Sequence, residues 1–197
     1  MVSASPARGL GSLLRARAAL CALGLLARLA HGSFRFRGVR LRVARGCFAP
    51  AFVSTGLLYD VASRALGGRR LGCDVGTGPG SLALALAREL GAEVVGTDVD
   101  VRCLRCAWEN AVANGLDHLF HPVACREAQA LRSGAFEFAV ANPPYLPLDP
   151  AGPAGVAACG GRRLEVLNAV LRDSVRVLRE GGVLLFTASS LASVSGA

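Results

Sequence analysis

An α/β fold with a mainly parallel sheet and helices on both of its faces is predicted by three observations. Short apolar runs alternate with helical segments from residue 70 to residue 188, the runs are apolar on consecutive positions, and glycine or proline breaks close them. Strands buried on both faces give continuous apolar runs, and strand–helix alternation supplies the crossovers that parallel pairing needs. At 197 residues, 52% hydrophobic and 18% charged, the chain has the length and apolar content of one globular domain rather than of a disordered polymer.

Residues 1–33 are set apart as a basic, apolar extension. The stretch LLRARAALCALGLLARLA over 13–30 has ten uncharged residues between Arg17 and Arg28, whereas a bilayer span takes about 20. A secretory apolar segment, a misassigned start and a helix that packs on the domain or a partner are the readings open to it; the last two are expected. The domain proper is expected over 34–197. It begins with FRFRGVRLRV (34–43), which alternates apolar residues and arginines about Gly38, the period of a two-stranded ribbon with one basic face; the ribbon is bounded at 34–46. Then CFAPAFVSTGLLYDVASRALGG gives a loop, an N-cap at Ser54 or Thr55, and an apolar helix ended by Gly67 and Gly68.

The regular part follows. Strands are expected at 70–75, 93–98, 120–124, 136–141 and 183–188, and helices at 81–90, 99–114 and 164–180, with a short helix within AQALRSG. The last long helix carries Leu164, Leu167, Leu171, Val175 and Leu178 on its expected buried face. In such a sheet, ligands bind beyond the carboxyl ends of the strands, so the loops after the first, second and fourth of these strands are the ones to inspect.

Charge and cysteine content add bounds. All 22 basic residues are arginine against 14 acids, a net charge of +8, and the first acid is Asp60. Such an excess suits an anionic partner, and biased base composition of the gene gives the same count. Seven cysteines at irregular spacing give no readable disulfide framework. Cys103 and Cys106 share one face of a helix and are expected in the core; neither they nor His118 and His121 make a metal set, and no protein metal site is expected.

The first regular strand leads into Asp74, Val75, Gly76, Thr77, Gly78, Pro79 and Gly80. The glycines let backbone approach a ligand at a helix N-terminus, and GxGxG after an acid suits an amino-acid end, with Asp74 facing a positive amino group. Asp98, at the end of the second strand, is placed to accept from both hydroxyls of a ribose, with Val99 beside it; Asp100 competes for that role or for the cap of the next helix. A nucleoside with an amino-acid tail is S-adenosylmethionine. The fourth strand ends in Asn142, Pro143, Pro144 and Tyr145. The Asn142 side-chain oxygen and the Pro143 carbonyl form two fixed acceptors for a planar N–H2 group, and Tyr145 would stack on it.

GTGPG, GTDVD and NPPY, in this order, resemble the class I S-adenosylmethionine-dependent methyltransferases that methylate amino groups, a Rossmann-like fold. The flanking segments resemble the HemK family, in its archaeal and eukaryotic branch: FAPAFVSTGLLYDVA puts Thr55 at the family's threonine, and Cys159-Gly160-Gly161-Arg162 matches its glycine pair. The resemblance implies that Thr55, Asp74, Gly76, Thr77, Gly78, Gly80, Asp98, Val99 and Asn142 bind S-adenosyl-L-methionine. It implies that Asn142, Pro143, Pro144 and Tyr145 bind the substrate, with Asn142 and Pro143 catalytic. The implied substrate is the glutamine of the GGQ motif in a peptide release factor, the implied partner a small zinc-binding activator protein, and the location cytoplasmic, with no membrane contact. Arg35, Arg37, Arg40 and Arg42 are an expected contact for ribosomal RNA. Adenine-N6 or guanine-N2 methylation of RNA or DNA and a non-catalytic scaffold are the alternatives. The sequence departs from the family at Val53 and Ser54, where two acids are usual, and at Arg126, where an acid faces the adenine amine, with Glu127 next to it. The family's C-terminal helix and hairpin are expected to be missing.

Overall fold

The computed structural model describes residues 18, 32–45, 47, 52–144, 146, 148–149 and 159–188; nearly all of the N-terminal extension, Tyr145 and residues 150–158 lie outside them. The ribbon consists of β1 (Gly32–Phe36) and β2 (Val39–Val43), paired antiparallel. Arg37 and Gly38 between them both have positive φ, 46° and 83°, the turn whose twist matches a hairpin. The ribbon starts two residues before the expected boundary at 34. Phe36, Val39, Leu41 and Val43 face inward, and Arg35, Arg40 and Arg42 face outward.

Helix α1 spans Phe52–Ala65, so Ser54 and Thr55 lie inside its first turn and neither is its N-cap. Their hydroxyls are spent on a tertiary contact described below. Five parallel strands make the main sheet: β3 (Leu71–Val75), β4 (Glu93–Asp98), β5 (Phe120–Ala124), β6 (Phe136–Ala141) and β7 (Leu178–Phe186), in the spatial order β5-β4-β3-β6-β7. Helices α2 (Ser81–Leu90), α3 (Val101–Ala113) and α4 (Glu165–Val177) connect them. The order reverses between β3 and β6, which places the switch point at the loops inspected above. β7 starts at Leu178 rather than 183, and its register shifts opposite Phe136 and Phe138, with Gly181 at φ 71° in the irregular stretch. Turns replace the short helix expected in AQALRSG.

From Phe138 onward, alternate residues of β6 feed two cores, and Phe136, before the register shift, joins the second. Phe138 and Val140 pack with α1, α2, α3 and the ribbon, while Phe136, Ala139 and Ala141 pack with Val170 and Val177 of α4. Both faces of the sheet are thus covered. Helix α4 buries Leu167, Val170, Ser174 and Val177, with Asp173, and turns Val175 out to 60% exposure; its contact stripe is rotated from the one expected.

Cys103 is joined to Cys47 by a disulfide with Cα atoms 5.5 Å apart, while Cys106 is a buried free thiol. The pairing spans 56 residues, so helical spacing alone does not reveal it; in a reducing compartment the pair stands as two buried thiols. Among the described residues no group of three metal-ligating side chains occurs and no helix is long and apolar enough to cross a membrane.

Candidate active site

Between β3 and α2 the chain turns through Gly76, Gly78 and Gly80 at φ 78°, 55° and 81°, a conformation that side chains rarely adopt. The N–H groups of Gly76 and Thr77 both donate to the Thr97 carbonyl, at 2.9 and 2.8 Å, which hangs the loop on the end of β4. Space is open where a Cβ at Gly76 would stand, whereas one at Gly80 would come within 3.1 Å of Ala107. The first glycine therefore leaves room beside the backbone, and the last lets α3 close against the loop.

Asp74 lies beneath this loop, 3% exposed. Its carboxylate accepts from the Thr77 hydroxyl at 2.8 Å. Burial pushes its pKa up to about 7; the bonds from Thr77 and from the Ala83 N–H pull it back, and Asp98 raises it further. A carboxylate held this way gains from a cation close by, since an opposite charge favours its ionised form. Asp74 thus shapes the loop as well as setting its field.

Asp100 is the N-cap of α3: its side chain accepts from the Arg102 N–H, and the Arg102 side chain holds its pKa down. That assigns the capping role to Asp100 and leaves Asp98 free of it. Asp98 takes the N–H groups of Gly78 and Asp100, each at 2.9 Å, so its carboxylate is aimed across the loop. Burial raises its pKa. Each oxygen retains acceptor capacity, and two oxygens on one rigid carboxylate suit a vicinal diol. Val99, beside it, is 59% exposed and offers an apolar surface at the same edge.

Asn142 stands at the end of β6. Its Nδ2 donates to Thr55 Oγ1 at 3.1 Å and Ser54 Oγ at 3.4 Å, and its Oδ1 accepts from the Thr187 hydroxyl. The structure therefore brings Thr55 and Asn142 together, although 87 residues separate them. Pro143 is buried and Pro144 half-buried; Tyr145 lies outside the described residues. The glycine pair returns to this motif. Leu146 bridges Cys159, the Gly160 N–H donates to the Leu146 carbonyl at 2.8 Å, and a Cβ at Gly160 would stand 2.7 Å from the Pro144 carbonyl. Glycine at 160 is what lets the two backbones meet.

Thr97, Asn110 and Thr187 join the site without having been read from the sequence. The Thr97 hydroxyl donates to the Glu127 carbonyl at 2.5 Å, and Glu127 sits at φ 43°, holding the loop after β5 near Asp98. Asn110 donates to the Pro79 carbonyl and to the Arg42 carbonyl, both at 2.9 Å, and accepts from the Arg42 N–H. It fastens the ribbon to the glycine loop. Four residues on, Asn114 makes the same pair of bonds with the Arg40 backbone. An asparagine every fourth residue along α3, set against every second residue of β2, is the signal available to a reader who already places the two side by side.

Residues 44–195 match the model of the methyltransferase small domain. The chain belongs to this methyltransferase family. A release factor glutamine methyltransferase of Gloeobacter violaceus is 30% identical over 167 residues, 78% of this chain and 58% of that one. A 4-amino-L-phenylalanine/4-methylamino-L-phenylalanine methyltransferase of Streptomyces pristinaespiralis is 32% identical over 184 residues, 83% of this chain and 61% of that one. The chain spans between 25% and 61% of the length of such curated relatives. Among solved structures, a methyltransferase from Agrobacterium tumefaciens superimposes with a TM-score of 0.56 at 18% identity, over 82% of this chain and 53% of that one. A ribosomal protein L11 methylase from Lactobacillus delbrueckii gives 0.52 at 24% identity, over 70% and 61%. The Rossmann-like methyltransferase fold is thereby shared. In this chain the donor set fits S-adenosylmethionine: an open glycine cradle, a carboxylate pair for a cation and a diol, and a Ser81 hydroxyl buried without a partner at the start of α2.

Proposed function

We propose that this methyltransferase places a methyl group on a planar N–H2 nitrogen, the glutamine side chain of the GGQ motif in a peptide release factor. The observation that carries the proposal is Asn142, a strand-end amide held by hydroxyls at both ends and followed by two prolines. When bound, S-adenosylmethionine supplies an electrophilic methyl on a sulfonium. Thr55, Asp74, Gly76, Thr77, Gly78, Gly80, Asp98 and Val99 would hold it, with Asn142 at the reacting end. An amide nitrogen is a weak nucleophile because its lone pair is delocalised. Asn142 Oδ1 and the Pro143 carbonyl accept its two N–H bonds, turn the lone pair toward the methyl and stabilise the charge that develops. Several relatives are named release factor glutamine methyltransferases.

A second reading, a free arylamine as acceptor, is favoured by the relative named for 4-amino-L-phenylalanine, which matches more of this chain. Incubation with S-adenosylmethionine and, in turn, a GGQ-containing release factor, 4-amino-L-phenylalanine or RNA separates these readings. Methyl transfer to the release factor is expected. Transfer only to the arylamine establishes the second reading, transfer only to RNA the nucleobase alternative, and failure to bind the cofactor in calorimetry the scaffold.

The work belongs in the cytoplasm, where release factors act. The small activator protein implied by the resemblance would sit at β7, outermost in the described sheet, where Phe186 is 41% exposed. The ribbon's RNA contact narrows. Arg37 pairs with Asp60 at 2.8 Å and Arg40 donates to the Ala113 carbonyl at 3.1 Å, while Arg42 lies 3.9 Å from Glu109. Exposed Arg35 is the cleaner probe. Arg35→Glu is expected to reduce the salt slope of ribosomal RNA binding by about 1; an unchanged slope removes the contact.

A further inference from the structure

Thr187 follows β7 directly. Its N–H donates to the Ala141 carbonyl at 3.2 Å, which carries the β6–β7 pairing one step past the strand and sets its side chain beside Asn142. There its hydroxyl donates to Asn142 Oδ1. At the other end of the same amide, Nδ2 donates to Thr55 Oγ1 and Ser54 Oγ. Three segments, α1, the end of β6 and the end of β7, thus converge on one side chain.

An asparagine amide turns easily about its terminal torsion. Hydrogen bonds at both of its ends restrict that rotation and fix the plane in which its oxygen is presented. The acceptor group of the reaction is a donor of N–H bonds and needs Oδ1. A hydroxyl donating to Oδ1 uses one of two lone pairs and leaves the other for substrate. Were the amide reversed, Nδ2 would meet the substrate N–H as a second donor, and the bond would be lost.

We infer that Thr187 is a positioning residue, whose hydroxyl pins the Asn142 amide against rotation so that its carbonyl oxygen is presented to the reacting nitrogen. The inference rests on the proposed methyl transfer to an N–H2 group and deepens it. Valine at 187 keeps the shape and removes the donor, whereas serine keeps the donor and removes a methyl.

The test uses the full chain as Thr187→Val, Thr187→Ser and Asn142→Ala, with S-adenosylmethionine and a GGQ-containing release factor. Thr187→Val is expected to lose about 10- to 100-fold in kcat, the scale of a misplaced catalytic group. The KM for S-adenosylmethionine and the thermal midpoint should stay near those of the parent, and Thr187→Ser should recover most of the rate. Parent-like kcat in Thr187→Val, or an equal loss in Thr187→Ser, overturns the inference. Full activity in Asn142→Ala overturns the reading beneath it instead. If the parent methylates no acceptor, the Asn142 side-chain N–H2 resonances still decide: they should shift and exchange faster in Thr187→Val but not in Thr187→Ser, and unchanged resonances overturn the positioning role.

Discussion

Asp74 carries an uncommon burden for a loop residue. Its carboxyl is buried with a pKa raised from 3.8 to about 7, so ionising it costs the cofactor-free fold. The sign follows: the raised folded value means that Asp74 stabilises the fold below about pH 4, and that this contribution is lost as pH climbs through about 7. A cationic ligand lowers the folded pKa and offsets the loss. The thermal midpoint of the cofactor-free protein should therefore fall between pH 4 and 7 more steeply than that of Asp74→Asn, and stabilisation by S-adenosylmethionine should grow over the same window. Parallel slopes for parent and variant would contradict this. The residue types at 74, 98 and 142 were legible in the sequence because each stands at the end of a recognisable strand. Asp98 and Asp100 could not be told apart there as helix caps; the Arg102 N–H bond identifies Asp100 as the cap. Thr187 was unreadable in this sense, since its role is set by a partner 45 positions away.

Helix α2 and strands β4, β5 and β6 occupy the residues expected for them; Gly91 closes α2, Asp98 ends β4 and a proline pair follows Asn142 after β6. Other limits moved for physical reasons. Helix α1 starts at Phe52, ahead of the hydroxyl pair, which serves Asn142 rather than a cap. The α4 stripe rotated because Leu167, Val170, Ser174 and Val177 follow the three–four spacing of a single face, while the richness in leucine and valine offered a second stripe beside it. The bonds from Asn114 and Asn110 to β2 span 74 and 68 residues, beyond the reach of periodicity. Close packing at the elements yields a further expectation. A Cβ at Gly72 in β3 would lie 2.1 Å from the Phe138 ring, and one at Gly67 would meet nothing within 4 Å. Gly72→Ala should cost about 1 to 3 kcal/mol by overpacking, read as a lower denaturant midpoint at constant slope, and Gly67→Ala should leave the midpoint almost unmoved. Equal effects would contradict the packing of β3 against β6.

Across the molecule, the switch between β3 and β6 gathers residues that the sequence scatters over more than 130 positions, from Ser54 to Thr187. The glycine loop and Asp98 stand on one side of that switch, Asn142 with its hydroxyls on the other, and Asn110 ties the basic ribbon to the first. In the proposed reading the first side would hold the amino-acid nucleoside and the second the planar N–H2 group. The chain spans about half the length of most curated relatives that it matches. Mass spectrometry of a GGQ-containing release factor incubated with S-adenosylmethionine and this protein tests the central claim directly. The account predicts one added methyl group on the GGQ glutamine, absent when Asn142→Ala replaces the parent. An unmodified glutamine with the parent, or a methylated one with Asn142→Ala, would contradict it.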